Sequence, residues 1–250
     1  DHRGLHSFPT RRSYDLNSIF LDKVSLPKRI LGGGGRVVYN DAGETPNVHF
    51  CYFDTGGIPV VIALSNITAG TNSRKTSPHP GPGSGYMAFC EGGRFEGQRS
   101  RAAAFDSDGK LIKEFKGNSG MKLHQQNFID AVRSRDSTML NADVQVGHDS
   151  TGWCNLANVS YQCGREFSAG DATQIGEGKG RALWKSVLGD MDKLLKAHGL
   201  SLESSDIKLS PLLTIDPKTE QFIGGNAEAA NQFLRREYRK GYEEIGRAHV

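Results

Sequence analysis

The hydrophobic pattern of the chain changes its period once, at Gly117. Between residues 36 and 117 the sequence carries short apolar runs with the alternation typical of β-strands: RVVYN, NVHFCYFDTG, IPVVIALSNI, YMAFC and AAAFDSDGKLIKEFKG. The segments TGG at 55–57 and DSDG at 106–109 have the composition of hairpin turns. Because strands joined by tight turns pair antiparallel, we expect one mainly antiparallel sheet over residues 36–117.

Beyond Gly117 the period becomes helical. Residues 121–135 are amphipathic, with four apolar side chains predicted to face a core: Leu123, Phe128, Ala131 and Val132. Further helices are predicted over 143–163, capped by Asp143 and ended by Gly164, and over 182–198. LLTIDPKTEQFIG predicts a hairpin, and Asn226 is expected to cap a closing helix to about residue 239.

These elements predict the α+β class: a large mainly antiparallel sheet with the 121–135 and 143–163 helices packed on one face. In VHFCYF both alternating sets of side chains are apolar or aromatic, so both faces of the sheet are expected to be covered. We expect the chain's own helices on one face and a partner on the other.

The glycine run LGGGGR, residues 31–36, raises the question of a phosphate-binding loop. A dinucleotide fingerprint needs Gly-x-Gly-x-x-Gly between a strand and a helix. Starting at Gly32 or Gly33, the sixth position is Val37 or Val38, and the following residues favour a strand. GPGSGY and GEGKGR fail in the same way, at Tyr86 and Arg181. No phosphate loop is therefore predicted.

Composition excludes several classes of protein. A net charge of +3 is too small to indicate a nucleic-acid surface, and no apolar run reaches membrane-spanning length. The four cysteines lack Cys-x-x-Cys spacing, so they predict neither a metal site nor a disulfide framework, and reduced core thiols are expected: Cys51, Cys90, Cys154 and Cys163.

The two ends of the chain resemble translated sequencing adapters. EIGRAHV at 244–250 and HSFPTRRSYDL near the start correspond to common short-read adapter sequences, and a disordered basic tail is the alternative for the latter. We expect residues 1–16 and 244–250 to be adapter-derived, and 17–243 to be an incomplete reading frame. The compartment, cytoplasmic or periplasmic, therefore stays unassigned.

The second predicted helix carries a continuous polar stripe, formed by His148, Thr151, Asn155 and Asn158 at i, i+3, i+7 and i+10. A solvated helix face usually carries Lys and Glu, whereas neutral donors and acceptors suit a polyhydroxylated ligand. An internal polar network or helix packing is the alternative. On the preceding helix, His124 lies one turn from Asn127.

With these residues identified, the chain resembles the C-terminal portion of the Gfo/Idh/MocA family of NAD(P)-dependent oxidoreductases, in its bacterial branch. The most specific matches are HQQNFIDAVRSR and NADVQVGHDSTGWCNLANVSYQCG, and GETPN followed by YFD adds to them. Where relatives often have Cys-His-Leu, this chain has Cys154-Asn155-Leu156. The glycine run resembles the GGGR that leads into the family's large sheet.

The resemblance implies that an N-terminal Rossmann domain, missing here, binds NAD or NADP. That domain would also supply the catalytic Lys of a Glu-Lys-Pro motif, and a following Asp-x-x-x-His pair, also expected upstream of residue 17, would assist proton transfer. This fragment would then bind no cofactor and no metal, and would be inactive alone. His148, Asn158 and His124 are the expected substrate-binding residues, His148 in an orienting role.

The implied function is a dehydrogenase acting on a sugar or cyclitol hydroxyl. An NAD-dependent glycosidase of the same family is one alternative. A non-catalytic module that assembles through its sheet is another, because the family's sheets commonly pack face to face. A sugar-like substrate and a homo-oligomer through the open sheet face are the expected partners, without nucleic acid or membrane.

Overall fold

The computed structural model describes residues 26–73, 81–98, 100–117, 120–175, 179–235 and 238–241. The predicted adapter segments, 1–16 and 244–250, lie outside these residues, as do residues 74–80. The α+β class is confirmed, but the strands form two antiparallel sheets instead of one.

The larger sheet has seven strands: β1 Arg29–Gly35, β2 Val48–Asp54, β3 Val60–Ser65, β8 Arg165–Glu166, β9 Lys208–Leu209, β10 Leu213–Asp216 and β11 Gln221–Ile223. Its main order is β11-β10-β1-β2-β3, and β9 pairs with both β1 and β8. The smaller sheet follows chain order: β4 Gly85–Cys90, β5 Gly93–Gln98, β6 Arg101–Asp106 and β7 Leu111–Lys116.

Four α-helices occur among the described residues: α1 Met121–Ser134, α2 Val144–Gln162, α3 Lys179–Lys196 and α4 Ala227–Asn231. Asp143 caps α2 as predicted, since its carboxylate accepts a 2.9 Å hydrogen bond from the Val146 N–H. The predicted closing helix is shorter than expected: α4 gives way to a 3-10 turn, Gln232–Leu234, and Asn226 makes no side-chain cap.

Strand β1 corrects the prediction of a strand over RVVYN. The glycines themselves form the strand, which ends at Gly35, and the backbone then turns sharply at Val38. Val38 has φ 71°, and the Tyr39 N–H donates to the Val37 carbonyl across it at 2.8 Å, a γ-turn that is strained for a β-branched residue. The buried Asn47 side chain binds both the N–H and the C=O of Val37, at 2.9 and 2.7 Å, and holds this turn.

The two faces of the larger sheet are covered by different helices. On one face Phe53 of β2 contacts Trp153 of α2, with ring centroids 4.9 Å apart. On the opposite face Phe50 contacts Trp184 of α3 at 5.9 Å. Both faces are covered, as VHFCYF predicted, but the second layer is α3 of the same chain and not a partner. The prediction that α1 and α2 share one face is wrong.

Helix α1 forms over the predicted residues, but its apolar side does not enter a core. Ala131 is buried, whereas Leu123, Phe128 and Val132 are all exposed. The helix packs chiefly against the short 3-10 turn Ser137–Met139, so no apolar layer of the described chain covers it.

Candidate functional site

The predicted polar stripe lies on the solvent side of α2. His148, Thr151, Asn155 and Asn158 are all exposed. The opposite side of the helix is buried against the larger sheet through Trp153, Leu156, Ala157, Val159 and Ser160. Because α2 is packed on the sheet, the stripe side chains project from a rigid element, as a binding surface requires.

Among the described residues, His148 is the one member of the stripe whose side chain forms a hydrogen bond with another element. Its Nε2 lies 2.7 Å from Oε1 of Glu220, in the turn between β10 and β11. The hydrogen bond and the charge of Glu220 raise the pKa of His148, and Asp149 adds a weaker effect in the same direction. The imidazole is thus favoured in its charged form by a carboxylate at the surface.

Thr151 uses its hydroxyl proton within the helix. The Oγ1 donates to the Gly147 carbonyl at 2.7 Å, the common i−4 bond of helical threonines. The oxygen lone pairs remain as acceptors. His148 and Asn158 stand on the same face, about 15 Å apart along the helix axis.

His124 lies apart from the stripe. It is exposed on α1, where it borders a shallow depression of ≈ 360 Å³ with Gln125, Phe128 and Ile129. Among the described residues no hydrogen bond or ion pair joins it to His148 or Asn158. The three predicted substrate-binding residues are therefore on two helices: His148 and Asn158 share one face of α2, about 15 Å apart, and His124 lies on α1.

Asn127, one turn from His124, has a structural task. Its Nδ2 donates to the Met139 carbonyl at 2.7 Å, and its Oδ1 accepts from the Asn141 N–H at 3.0 Å. The side chain thus fastens α1 to the segment that leads into α2. The pair His124 and Asn127 does not act as one polar unit.

The structure contains a buried polar cluster beneath α2 that the sequence analysis did not predict. The Cys51 Sγ lies 3.3 Å from the His49 Nε2 and 3.9 Å from the Ser160 Oγ, which donates to the Ala157 carbonyl at 2.7 Å. Burial lowers the pKa of His49 to about 4 and raises that of Cys51 to about 12. Both groups are therefore neutral and closed to solvent, which suits a packing role.

The sequence of β2 could have predicted this cluster, because side chains alternate between the two faces of a sheet. His49 and Cys51 are two residues apart and therefore share a face. The expectation that all cysteines are core thiols holds for Cys51, whereas Cys90 is exposed and the other two are partly buried.

A second depression, of ≈ 730 Å³, lies on the smaller sheet and contains none of the predicted site residues. Five of its polar lining residues are Glu96, Gln98, Arg101, Glu114 and Lys116. No group of three or more His, Cys, Asp or Glu side chains suited to a metal occurs in the described part of the chain. Within the same residues, every helix is too short or too polar to cross a bilayer.

Comparison of the chain with protein-family models, curated proteins and solved structures gave no match.

Proposed function

We propose that this chain is the substrate-binding and oligomerisation domain of an NAD(P)-dependent oxidoreductase that acts on a sugar or cyclitol hydroxyl. The observation that carries the proposal is the exposed polar stripe of α2, which contains no Lys, Arg, Asp or Glu and whose opposite side is packed on the sheet. The resemblance of the same helix to the Gfo/Idh/MocA family supports the substrate class.

The chemistry of the stripe suits a polyol. Asn155 and Asn158 each present an amide with two donor and two acceptor positions, and His148 adds a ring nitrogen. Side chains three or four residues apart on a helix have Cβ atoms about 5–6 Å apart, so two neighbours can engage one ligand. A charged stripe would favour ions, whereas neutral groups match hydroxyls that both donate and accept.

The roles that we propose for this chain and for an upstream domain follow those of the family. An upstream domain would bind NAD or NADP and supply the catalytic Lys, and the Asp/His groups would also lie upstream of this chain. The chain described here would bind the substrate along α2, with His148 orienting the hydroxyl whose carbon gives up hydride and Asn158 binding elsewhere on the substrate. An NAD-dependent glycosidase of the same family would use the same surface for a glycoside, so substrate class distinguishes these two candidates.

Assembly through a sheet face is a second function that the smaller sheet favours. Tyr86, Phe95 and Phe115 of three strands form a row, with ring centroids 6.1 and 5.8 Å apart, and Phe115 is exposed. Because helices of the same chain cover both faces of the larger sheet, we infer homo-oligomer contacts through the smaller sheet. Sedimentation of the chain and of Phe115→Lys tests this: the variant should shift toward monomer, and an unchanged distribution contradicts it.

Titration of the isotope-labelled chain with myo-inositol and with D-glucose, followed by amide chemical shifts, tests the binding surface. We expect shifts clustered on the exposed side of α2, and their loss in Asn158→Ala. Asn226→Ala, which removes an exposed asparagine without a side-chain cap, is the matched control and should bind as the parent does. Absence of shifts with both polyols, or shifts unaffected by Asn158→Ala, contradicts the proposal.

A further inference from the structure

The contact between Glu220 and His148 joins residues that are far apart in the chain. Glu220 lies in the turn between β10 and β11, and His148 lies in the second turn of α2. Their side chains are about half exposed, 46% and 52%, and the Nε2–Oε1 distance is 2.7 Å. Exposed ion pairs contribute only about 0–1 kcal/mol to the stability of the fold, so stabilisation alone does not account for this pair.

The backbone of Glu220 is in a conformation that disfavours glutamate. Its φ is 57°, in the left-handed region, where Gly or Asn is the ordinary occupant of a hairpin turn. For other residues this conformation costs about 1–2 kcal/mol. A glutamate at this position is therefore more easily explained by what its carboxylate does than by the turn.

The turn itself is firmly held, which fixes the place of the carboxylate. The Glu220 N–H donates to the Asp216 carbonyl at 2.8 Å. The Asp216 carboxylate accepts from the Lys218 N–H and from the Thr219 hydroxyl, each at 3.0 Å. These bonds lower the pKa of Asp216, so its carboxylate is ionised over the neutral range.

We propose that Glu220 is a positioning residue, which holds the His148 imidazole by its Nε2–H and leaves Nδ1 to meet a ligand hydroxyl. The inference rests on the proposed function and adds to it a residue outside the α2 stripe. When a carboxylate accepts from Nε2–H, the neutral imidazole has Nδ1 as its acceptor, so the contact sets the tautomer. Through Nδ1, His148 then accepts a hydrogen bond from a sugar or cyclitol hydroxyl when the imidazole is neutral, and donates one when it is protonated.

Glu220→Gly separates positioning from folding. Glycine relieves the left-handed backbone, so the melting temperature should stay level or rise although the ion pair is lost. Nitrogen-detected NMR of the His148 ring should show loss of the Nε2–H tautomer preference, and its titration midpoint should fall toward the ordinary value of about 6.5. Glu220→Gln keeps an acceptor oxygen without the charge, so it should retain the tautomer and lower the midpoint. Glu228→Gln, an exposed carboxylate on α4, should change neither.

Binding of myo-inositol, measured in the same samples, completes the test. We expect about tenfold weaker binding in Glu220→Gly and in His148→Ala, the loss of one orienting hydrogen bond. If His148→Ala weakens binding and Glu220→Gly does not, or if Glu220→Gly leaves the ring tautomer unchanged, the positioning role is overturned while the proposed function stands. If myo-inositol and D-glucose both fail to bind the parent chain, the proposed function is overturned, and the positioning role with it.

Discussion

Ser160 packs onto Gly32 so closely that a Cβ atom on Gly32 would stand 2.3 Å from the Ser160 Oγ. The same atom would lie 2.8 Å from the Cys51 Sγ. Helix α2 therefore approaches β1 at a distance that only glycine allows. This contact explains part of the glycine run: it serves the packing of the helix that carries the polar stripe, and not the binding of phosphate.

Gly32→Ala should lower the free energy of unfolding by about 1–3 kcal/mol, because the added methyl forces α2 away from the sheet. Urea denaturation measures the loss. Ser160→Gly in the same chain should restore part of it by removing the hydroxymethyl group. Gly92→Ala, at a glycine whose Cβ would meet nothing within 4 Å, is the control and should be close to neutral. Equal effects at Gly32 and Gly92 would contradict the close packing.

Asn47→Ala should lower the free energy of unfolding by about 2–3 kcal/mol. The substitution leaves the buried N–H and C=O of Val37 without their partner and releases the strained turn at Val38. Thermal and urea unfolding measure the change. Asn66→Ala, at an exposed asparagine, should cost less than about 0.5 kcal/mol. If Asn47→Ala lowered the free energy of unfolding no more than Asn66→Ala does, the Asn47 side chain would not be what holds the turn at Val38.

His49 should make the protein sensitive to acid. Its folded pKa of about 4 lies below the unfolded value of about 6.5, so the unfolded state binds the proton first as the pH falls. Stability from the neutral imidazole is present above pH 6.5 and is lost progressively toward pH 4, by about 3 kcal/mol in total. Urea unfolding at several pH values measures the slope.

His49→Leu should flatten that slope between pH 6.5 and 4, whatever its effect on absolute stability. His124→Gln, at an exposed histidine, should keep the slope of the parent. A slope in His49→Leu equal to that of the parent would show that another group causes the acid sensitivity.

The four thiols should differ in reactivity under native conditions. Cys90 is exposed, whereas burial raises the pKa of Cys51 to about 12 and leaves about a thousandfold less thiolate than an ordinary cysteine has. A disulfide reagent should therefore modify Cys90 in a fast phase that Cys90→Ser abolishes. Cys51 should react only when the protein unfolds. Rapid modification of Cys51 in the native protein would contradict its burial.

Local patterns in the sequence predicted the elements well, since hydrophobic period and capping residues act within a few positions. The cap at Asp143, the end of α2 near Cys163 and the hairpin around Pro217 all follow from neighbouring residues. Strand β1 was misplaced because its glycines have no side chains to show alternation. The need for glycine at positions 32 and 33 comes from Ser160 and from the backbone of Lys208, far along the chain, which leave no room for a Cβ atom.

Tertiary placement was less predictable, for a physical reason. The amphipathic pattern of α1 shows that it has an apolar side, but not which surface covers that side. Similarly, the doubly apolar pattern of β2 predicts two covered faces without identifying α3 as one of the layers. The partner of His148 was missed because Glu220 adopts a left-handed turn that the sequence does not signal.

Reduction of NAD⁺ or NADP⁺ by the protein extended through its upstream reading frame, with a panel of sugars and cyclitols, is the most direct test of the proposed oxidoreductase. We predict turnover with at least one polyol. The catalytic efficiency should fall about tenfold to a hundredfold in His148→Ala at an unchanged melting temperature. The 250-residue chain alone should bind no dinucleotide. An extended protein that reduces neither dinucleotide with any polyol, or a His148→Ala variant with full activity and a depressed melting temperature, would contradict it.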